Sequence, residues 1–332
     1  MPPYGVQSDD DASTRLAHAS SEYEKLSASL TELGSQLAAL GVAIQGHAPQ
    51  SGSLAILSGR SNRDRFVANH EAQDPTIIRV NLLGPFALFM NNDNITAGAP
   101  GQVQTVLKFI LSQGGRPTPK DALLDLLWPE TDPSVTGSRL RVLMHTLRRS
   151  IPCEKLGFHD FLILNGNNFM VNPQARLWID VDEFERGWHA GWRLSRAGHT
   201  AEALAEYERT ESLYHGDYLE DDLYADWTLL RREALRDAYS TILTMLAQMS
   251  LQAGDHTGAI IWSQKLLAQD NCREDAYRLL MTSHRSLGQS GRALHWYDLC
   301  ARTLQRELGM EPSHETQALR HAISGATERI PV

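Results

Sequence analysis

Three stretches in the C-terminal half of the chain lie over one another: GHTAEALAEY at 198–207, GDHTGAIIWS at 254–263 and GQSGRALHWY at 288–297. In each, a glycine is followed five residues later by an alanine, Ala203, Ala259 or Ala293. Glycine accepts the left-handed conformation that ends a helix, and the small alanine lets the next helix pack closely. Gly254 and Gly288 lie 34 residues apart, the period of tetratricopeptide helix pairs. Gly198 and Gly254 lie 56 apart, and the excess is expected to be a loop over Tyr214–Asp226 before a long helix from about Trp227 to Gln252. A chain carrying this repeat has to stack helix pairs. Residues 176–326 are therefore expected to form an all-α, tetratricopeptide-like region.

A second constraint sits upstream, in SVTGSRLRVLMHTLRRSI at 134–151. Leu140, Leu143/Met144, Leu147 and Ile151 recur at three- and four-residue spacing and make one apolar stripe. Arg141, His145 and Arg148 fall on the opposite face, with Arg139 and Arg149 on its flanks, and no acidic residue interrupts the segment. Asp132 and Ser134 offer N-cap chemistry, with Pro133 suited to a first helical turn. A helix buried on one side and cationic on the other suits a DNA major groove. A solvated basic face would have the same pattern, so the neighbouring elements decide.

Those neighbours have a definite order. Ile77–Leu83 reads as a strand, Gly84-Pro85 breaks it, and Phe86–Met90 reads as a second strand before the Asn91–Asn94 turn. Val103–Leu111 is an apolar helix ended by Gly114-Gly115. Thr118 is expected to cap a helix from Pro119 to Leu127, closed by Trp128-Pro129. After the basic helix, Phe161–Leu164 and Phe169–Val171 form a hairpin across Asn165–Asn168. Strands, three helices and a hairpin make a winged helix-turn-helix, assigned to residues 77–175. In that motif the third helix enters the major groove.

The text of this region resembles the OmpR-type DNA-binding domain of the Streptomyces antibiotic regulatory protein family. The matching residues are LLGPF at 82–86, DALLDLLWPE at 121–130, SRLRVLMHTLRRSI at 138–151 and the hairpin into Phe169. YHGDYLEDDLYADWTLLRREALRDAY from 214 and ELGMEPSHETQAL from 307 are similar to the bacterial transcriptional activator domain that follows the winged helix in that family. The chain departs from the family at the first helix, where Gln102 and Gln104 stand in place of basic residues. It departs again at His145-Thr146, which replaces the usual Ser-Arg. The resemblance implies a transcriptional regulator, an activator bound at promoter repeats and touching RNA polymerase.

Expected DNA contacts are Arg139, Arg141, His145, Arg148 and Arg149 on the third helix, Thr118 and Lys120 at the start of the second, and Asn167 at the hairpin tip. The loop Tyr218–Tyr224 is acidic and aromatic, which suits a protein partner better than phosphate. Tyr218, Asp221 and Asp222 are its expected contacts. Upstream, apolar residues from Leu16 to Ile44 step by three and four, the a/d rule of a coiled coil. Residues 1–45 are read as a helix that either dimerises, the favoured reading, or docks on the chain's own body, and 46–76 as a linker rich in Gly, Ser, Asn and Pro.

Composition narrows the alternatives. The 332 residues are 42% hydrophobic and 21% charged, ordinary for a globular chain. A net charge of −9 argues against coating DNA throughout but is compatible with a local basic face. Three cysteines, Cys153, Cys272 and Cys300, lack paired metal spacing and read as reduced thiols. No signal peptide or membrane-length apolar run is evident, so a cytoplasmic location is expected. There is no phosphate-binding GxxxxGK[ST] loop, and His314-Glu315 fails the HExxH zinc pattern because position 318 is Ala. Trp188 and Trp192 read as helix-packing core rather than a ligand cage. No catalytic role, cofactor or metal is expected. The competing reading is a peptide-binding repeat scaffold whose winged helix does not touch DNA.

Overall fold

The computed structural model describes residues 77–129, 131, 133–151 and 159–327. The expected coiled coil at 1–45 and linker at 46–76 lie outside them, as do Asp132, Cys153 and the side chain of Ser134. Strand β1 (Ile77–Asn81) alternates exposed and buried, so Ile78 and Val80 point to the core while Arg79 points out. It pairs antiparallel with β2 (Ala87–Met90), which turns through Asn91 and Asn92, both at positive φ, into β3 (Asp93–Asn94). Asparagine is one of the few residues that accepts that conformation cheaply.

Helix α1 (Gly101–Ser112) buries Val103, Val106, Leu107, Ile110 and Leu111. Then come β4 (Thr118–Pro119), α2 (Lys120–Leu127) and α3 (Pro133–Ser150). The hairpin β5 (Leu162–Asn165) and β6 (Asn168–Val171) closes on Gly166-Asn167, and β4 joins it to make a three-stranded sheet in the order β4-β6-β5. Thr118 is thus a strand residue paired with Phe169, and α2 begins after Pro119 without a side-chain cap. The capping role read for Thr118 is corrected: its hydroxyl is buried and without a hydrogen-bond partner.

A strand not anticipated from the sequence follows. β7 (Arg176–Ile179) returns to the first sheet and lies parallel to β1, giving the order β3-β2-β1-β7. It runs straight into α4 (Asp180–Arg196).

The remaining helices are α5 (Thr200–Glu211), α6 (Asp226–Gln252), α7 (His256–Gln269), α8 (Glu274–Ser286), α9 (Ser290–Leu308) and α10 (His314–Thr327). The repeat behaves as read. Gly198, Gly254 and Gly288 have φ of 80, 79 and 73°, and Ala203, Ala259 and Ala293 are fully buried. The amides of His199, Asp255 and Gln289 reach back 3.0, 2.9 and 2.9 Å to the carbonyls of Leu194, Ser250 and His284, the Schellman closure of a helix. On α4, a Cβ at Gly191 would stand 2.6 Å from the Tyr207 ring, so glycine sets how close α4 and α5 come. Trp188 packs on the core as expected. Trp192 does not: it is 48% exposed, with the Arg196 guanidinium 4.9 Å from its ring centre.

One buried cluster runs from Ile78 and Leu107 through Phe184 and Tyr218 to Leu246. The winged helix and the first repeats share a core.

Candidate nucleic-acid interface

Helix α3 is fixed by its stripe. Leu140, Leu143, Met144, Leu147 and Ile151 are all buried, each such side chain contributing roughly 1.5–3 kcal/mol over exposure. Rotation about the helix axis would forfeit several of these at once, so the opposite face is held outward. On it Arg139, Arg141, His145, Arg148 and Arg149 are exposed. Among the described residues no carboxylate pairs with Arg139, Arg141 or Arg149. Arg148 does have a partner, Asp160, at 2.9 Å. Both side chains are substantially exposed, and such pairs contribute only about 0–1 kcal/mol, too little to hold the guanidinium against a phosphate.

Lys120 and Asn167 are brought together. The Lys120 amide donates to the Asn167 carbonyl at 2.9 Å, which ties the start of α2 to the tip of the hairpin. Thr118, by contrast, is buried beneath them and presents nothing to a ligand.

Sequence reasoning missed Val142, which is 67% exposed on α3 between the arginines. Its signal was available: a β-branched apolar residue off the stripe. An apolar group on a cationic groove-reading face is chemically matched to a thymine methyl. Thr146 beside it spends its hydroxyl on the Val142 carbonyl, 3.0 Å away.

Of the residues read as a partner surface, Tyr218 is internal, whereas Asp222 is half-buried and Asp221 is exposed. Tyr218 is 2% exposed and makes an isolated β-bridge with Leu83. The Leu219 amide donates to the Leu82 carbonyl at 2.8 Å and the Gly84 amide to the Asp217 carbonyl at 3.0 Å. Asp221 accepts from the Phe86 amide at 3.0 Å. Asp222 pairs at 2.7 Å with Lys108 of α1, whose side chain is only 5% exposed. The loop is acidic because it satisfies donors of the winged helix. Arg232 of α6, itself buried, clamps it by donating to the carbonyls of Tyr218, Leu219 and Asp222 at 2.9, 3.1 and 3.0 Å. Beside the exposed Asp221 the loop also leaves apolar side chains outside, Leu223 and Tyr224 at 98%, and α6 adds Leu230 at 85% exposure.

Asp180, the first residue of α4, completes the seam. Its carboxylate accepts from the amides of Leu82 at 2.8 Å, Leu83 at 2.9 Å and Val181 at 2.7 Å. Burial pushes its pKa up to about 6, against the downward pull of those three amides and of His215. Nearby Asp217 is shifted the other way. Burial acts upward there too, but hydrogen bonds from Arg236 and Tyr214 outweigh it and hold the carboxyl below its usual range. Among the described residues no group of three or more His, Cys, Asp or Glu is placed to hold a metal, and no helix is long and apolar enough to cross a membrane.

A winged helix-turn-helix with a free cationic third helix, fused through a shared core to helical repeats, defines a class of DNA-binding protein. Comparison with known proteins agrees with it. Residues 179–324 match the bacterial transcriptional activator domain. The chain is 28% identical over 254 residues to the regulatory protein DnrI of Streptomyces peucetius, covering 74% of this chain and 92% of that one. It is 24% identical over 246 residues to the transcriptional regulatory protein MoaR1 of Mycobacterium tuberculosis, covering 74% and 79%. In structure it is similar to Mycobacterium tuberculosis EmbR in complex with a low-affinity phosphopeptide, with a TM-score of 0.63 at 21% identity over 77% of this chain and 66% of that one. The chain is thus similar, over about three quarters of its length, to transcriptional regulators of the Streptomyces antibiotic regulatory protein kind, and its residues 179–324 carry their bacterial transcriptional activator domain.

Proposed function

We propose that the chain is a sequence-specific transcriptional activator that binds repeats in promoter DNA through α3 and the β5–β6 hairpin and contacts RNA polymerase through its repeat region. The observation that carries the reading is the outward face of α3, where Arg139, Arg141 and Arg149 have no carboxylate partner among the described residues. Base edges would meet Arg141, His145 and Val142, while Arg139, Arg148, Arg149, Lys120 and the Asn167 loop would meet phosphates. The polymerase contact is assigned to Leu223 and Tyr224 of the loop and Leu230 near the start of α6, three large apolar side chains left exposed. Tyr218 supports that surface from within, and Asp221 and Asp222 tie its loop to the winged helix through Phe86 and Lys108. Residues 1–45 supply a homodimer contact, and the protein works in the cytoplasm without cofactor or metal.

The test is gel retardation of the DNA upstream of its own coding sequence across a salt series. Binding should weaken steeply with salt, as expected when several cations displace counterions. Salt-insensitive binding, equal for wild type and Arg141→Ala, would leave the repeat-scaffold reading standing instead.

A further inference from the structure

The outer side of the first sheet carries a feature that DNA binding does not use. Register sets Phe89, Arg79 and Trp178 abreast on β2, β1 and β7. Beside them a cavity of about 320 Å³ opens against the loop after α5, lined by Arg79, Asn81, Trp178, Asp180, Leu213 and His215. That volume lies at the small end of ligand pockets.

The chemistry of the lining is selective. Asp180 is the one acid in it, and both its oxygens already accept backbone amides. It forms a wall and has no acceptor capacity to offer a cation. Arg79 has no carboxylate partner among the described residues; its guanidinium rests 4.9 Å from the Phe89 ring centre, which leaves its N–H edge free. Asn81 adds amide donors. His215 places Nδ1 2.9 Å from the Leu213 carbonyl, so in the neutral ring Nε2 is left as an acceptor. Trp178 and Leu213 contribute apolar surface.

We propose that this cavity binds a small hydroxylated aromatic carboxylate. The carboxylate is taken by Arg79 and Asn81, the ring lies against Trp178, and the hydroxyl donates to His215. Arg79, Asn81 and Trp178 belong to the winged-helix sheet, whereas Leu213 and His215 belong to the loop that follows α5. An occupant therefore ties the two sides of the seam and stabilises the chain in proportion to the logarithm of its concentration.

The test uses the full chain and no DNA, so it stands or falls apart from the promoter reading. Melting temperature and saturation-transfer NMR are followed with benzoate, 4-hydroxybenzoate and indole-3-carboxylate, and with 4-hydroxybenzylamine as the cationic counterpart. The expected result is saturation transfer to 4-hydroxybenzoate and a concentration-dependent rise in melting temperature, neither of which the amine produces. Arg79→Gln, on an exposed strand position, should weaken that response about tenfold, as expected for loss of a charge-assisted hydrogen bond. Arg141→Ala, on the far helix, should leave it unchanged. The proposal is overturned if no carboxylate of the series binds, if the amine binds as well, or if Arg79→Gln responds like wild type.

Discussion

At the scale of single residues, position on α3 separates two kinds of contact. Arg141 sits mid-face beside Val142 and His145, where the proposed DNA contact would place base edges, so Arg141→Ala should cost about 1–3 kcal/mol at the cognate site and relax its specificity. Arg149 sits in the last turn of the helix, where the same docking would bring the DNA backbone nearer. Arg149→Ala should weaken every sequence alike and flatten the logarithmic salt slope by about one unit. Quantitative gel shifts on cognate and scrambled duplexes measure both. Asp180 makes a prediction of another sort. Its folded pKa of about 6 lies above its ordinary 3.8, so the folded state prefers the protonated carboxyl. The stability it contributes is present in full below 3.8 and is lost as pH rises through about 6. Urea midpoints of wild type should fall across that window relative to Asp180→Asn, which does not titrate, by up to about 1.4 kcal/mol per pH unit. Asp217, held low, acts in the opposite sense: its contribution is present above 3.8 and is lost only as the solution becomes more acidic. Asp217→Asn should change the acid limb and leave the Asp180 window alone.

At the scale of elements, the loop after α5 is the part whose role changes most between sequence and structure. Asp222 neutralises a lysine that has almost no access to water, so Asp222→Ala strands a buried ammonium. The expected loss is about 1–3 kcal/mol by chemical denaturation. Lys108→Met in the Asp222→Ala background should restore most of it, because removing both charges costs far less than orphaning one. A wild-type midpoint for the single variant would show that the pair carries no stability. Local periodicity made other elements readable: the stripe of α3, the glycine–alanine repeat and the hairpin each announce themselves within a few residues. What stayed hidden is non-local. β7 is four residues long and pairs with a strand almost a hundred positions earlier; the Asp221–Phe86 hydrogen bond spans 135. Nothing in the local text distinguishes an acidic loop facing solvent from one facing the donors of another region. Thr118 failed for a related reason. Thr-Pro before a helix is also what a short strand looks like, and pairing with Phe169 prevailed.

At the scale of the whole molecule, the winged helix and the first repeats share one core and a hydrogen-bonded seam. Partner contact and DNA contact should therefore separate by mutation without separating physically. Tyr224→Ser with Leu230→Ser removes two exposed apolar groups that lie outside α3 and the hairpin, so DNA affinity should stay within about twofold while in vitro transcription falls. Unchanged transcript output would take the polymerase contact away from this surface. The seam has a further consequence, which concerns the promoter rather than the protein. Because α3 and the loop bearing Tyr224 are held on one core and one seam, the protein is a fixed bracket: once seated on its operator, it presents that surface at one azimuth around the duplex. Inserting about 5 base pairs between operator and core promoter turns the bracket to the far side, and about 10 returns it. Activation should collapse at the first insertion and recover in part at the second, with occupancy of the operator the same in both.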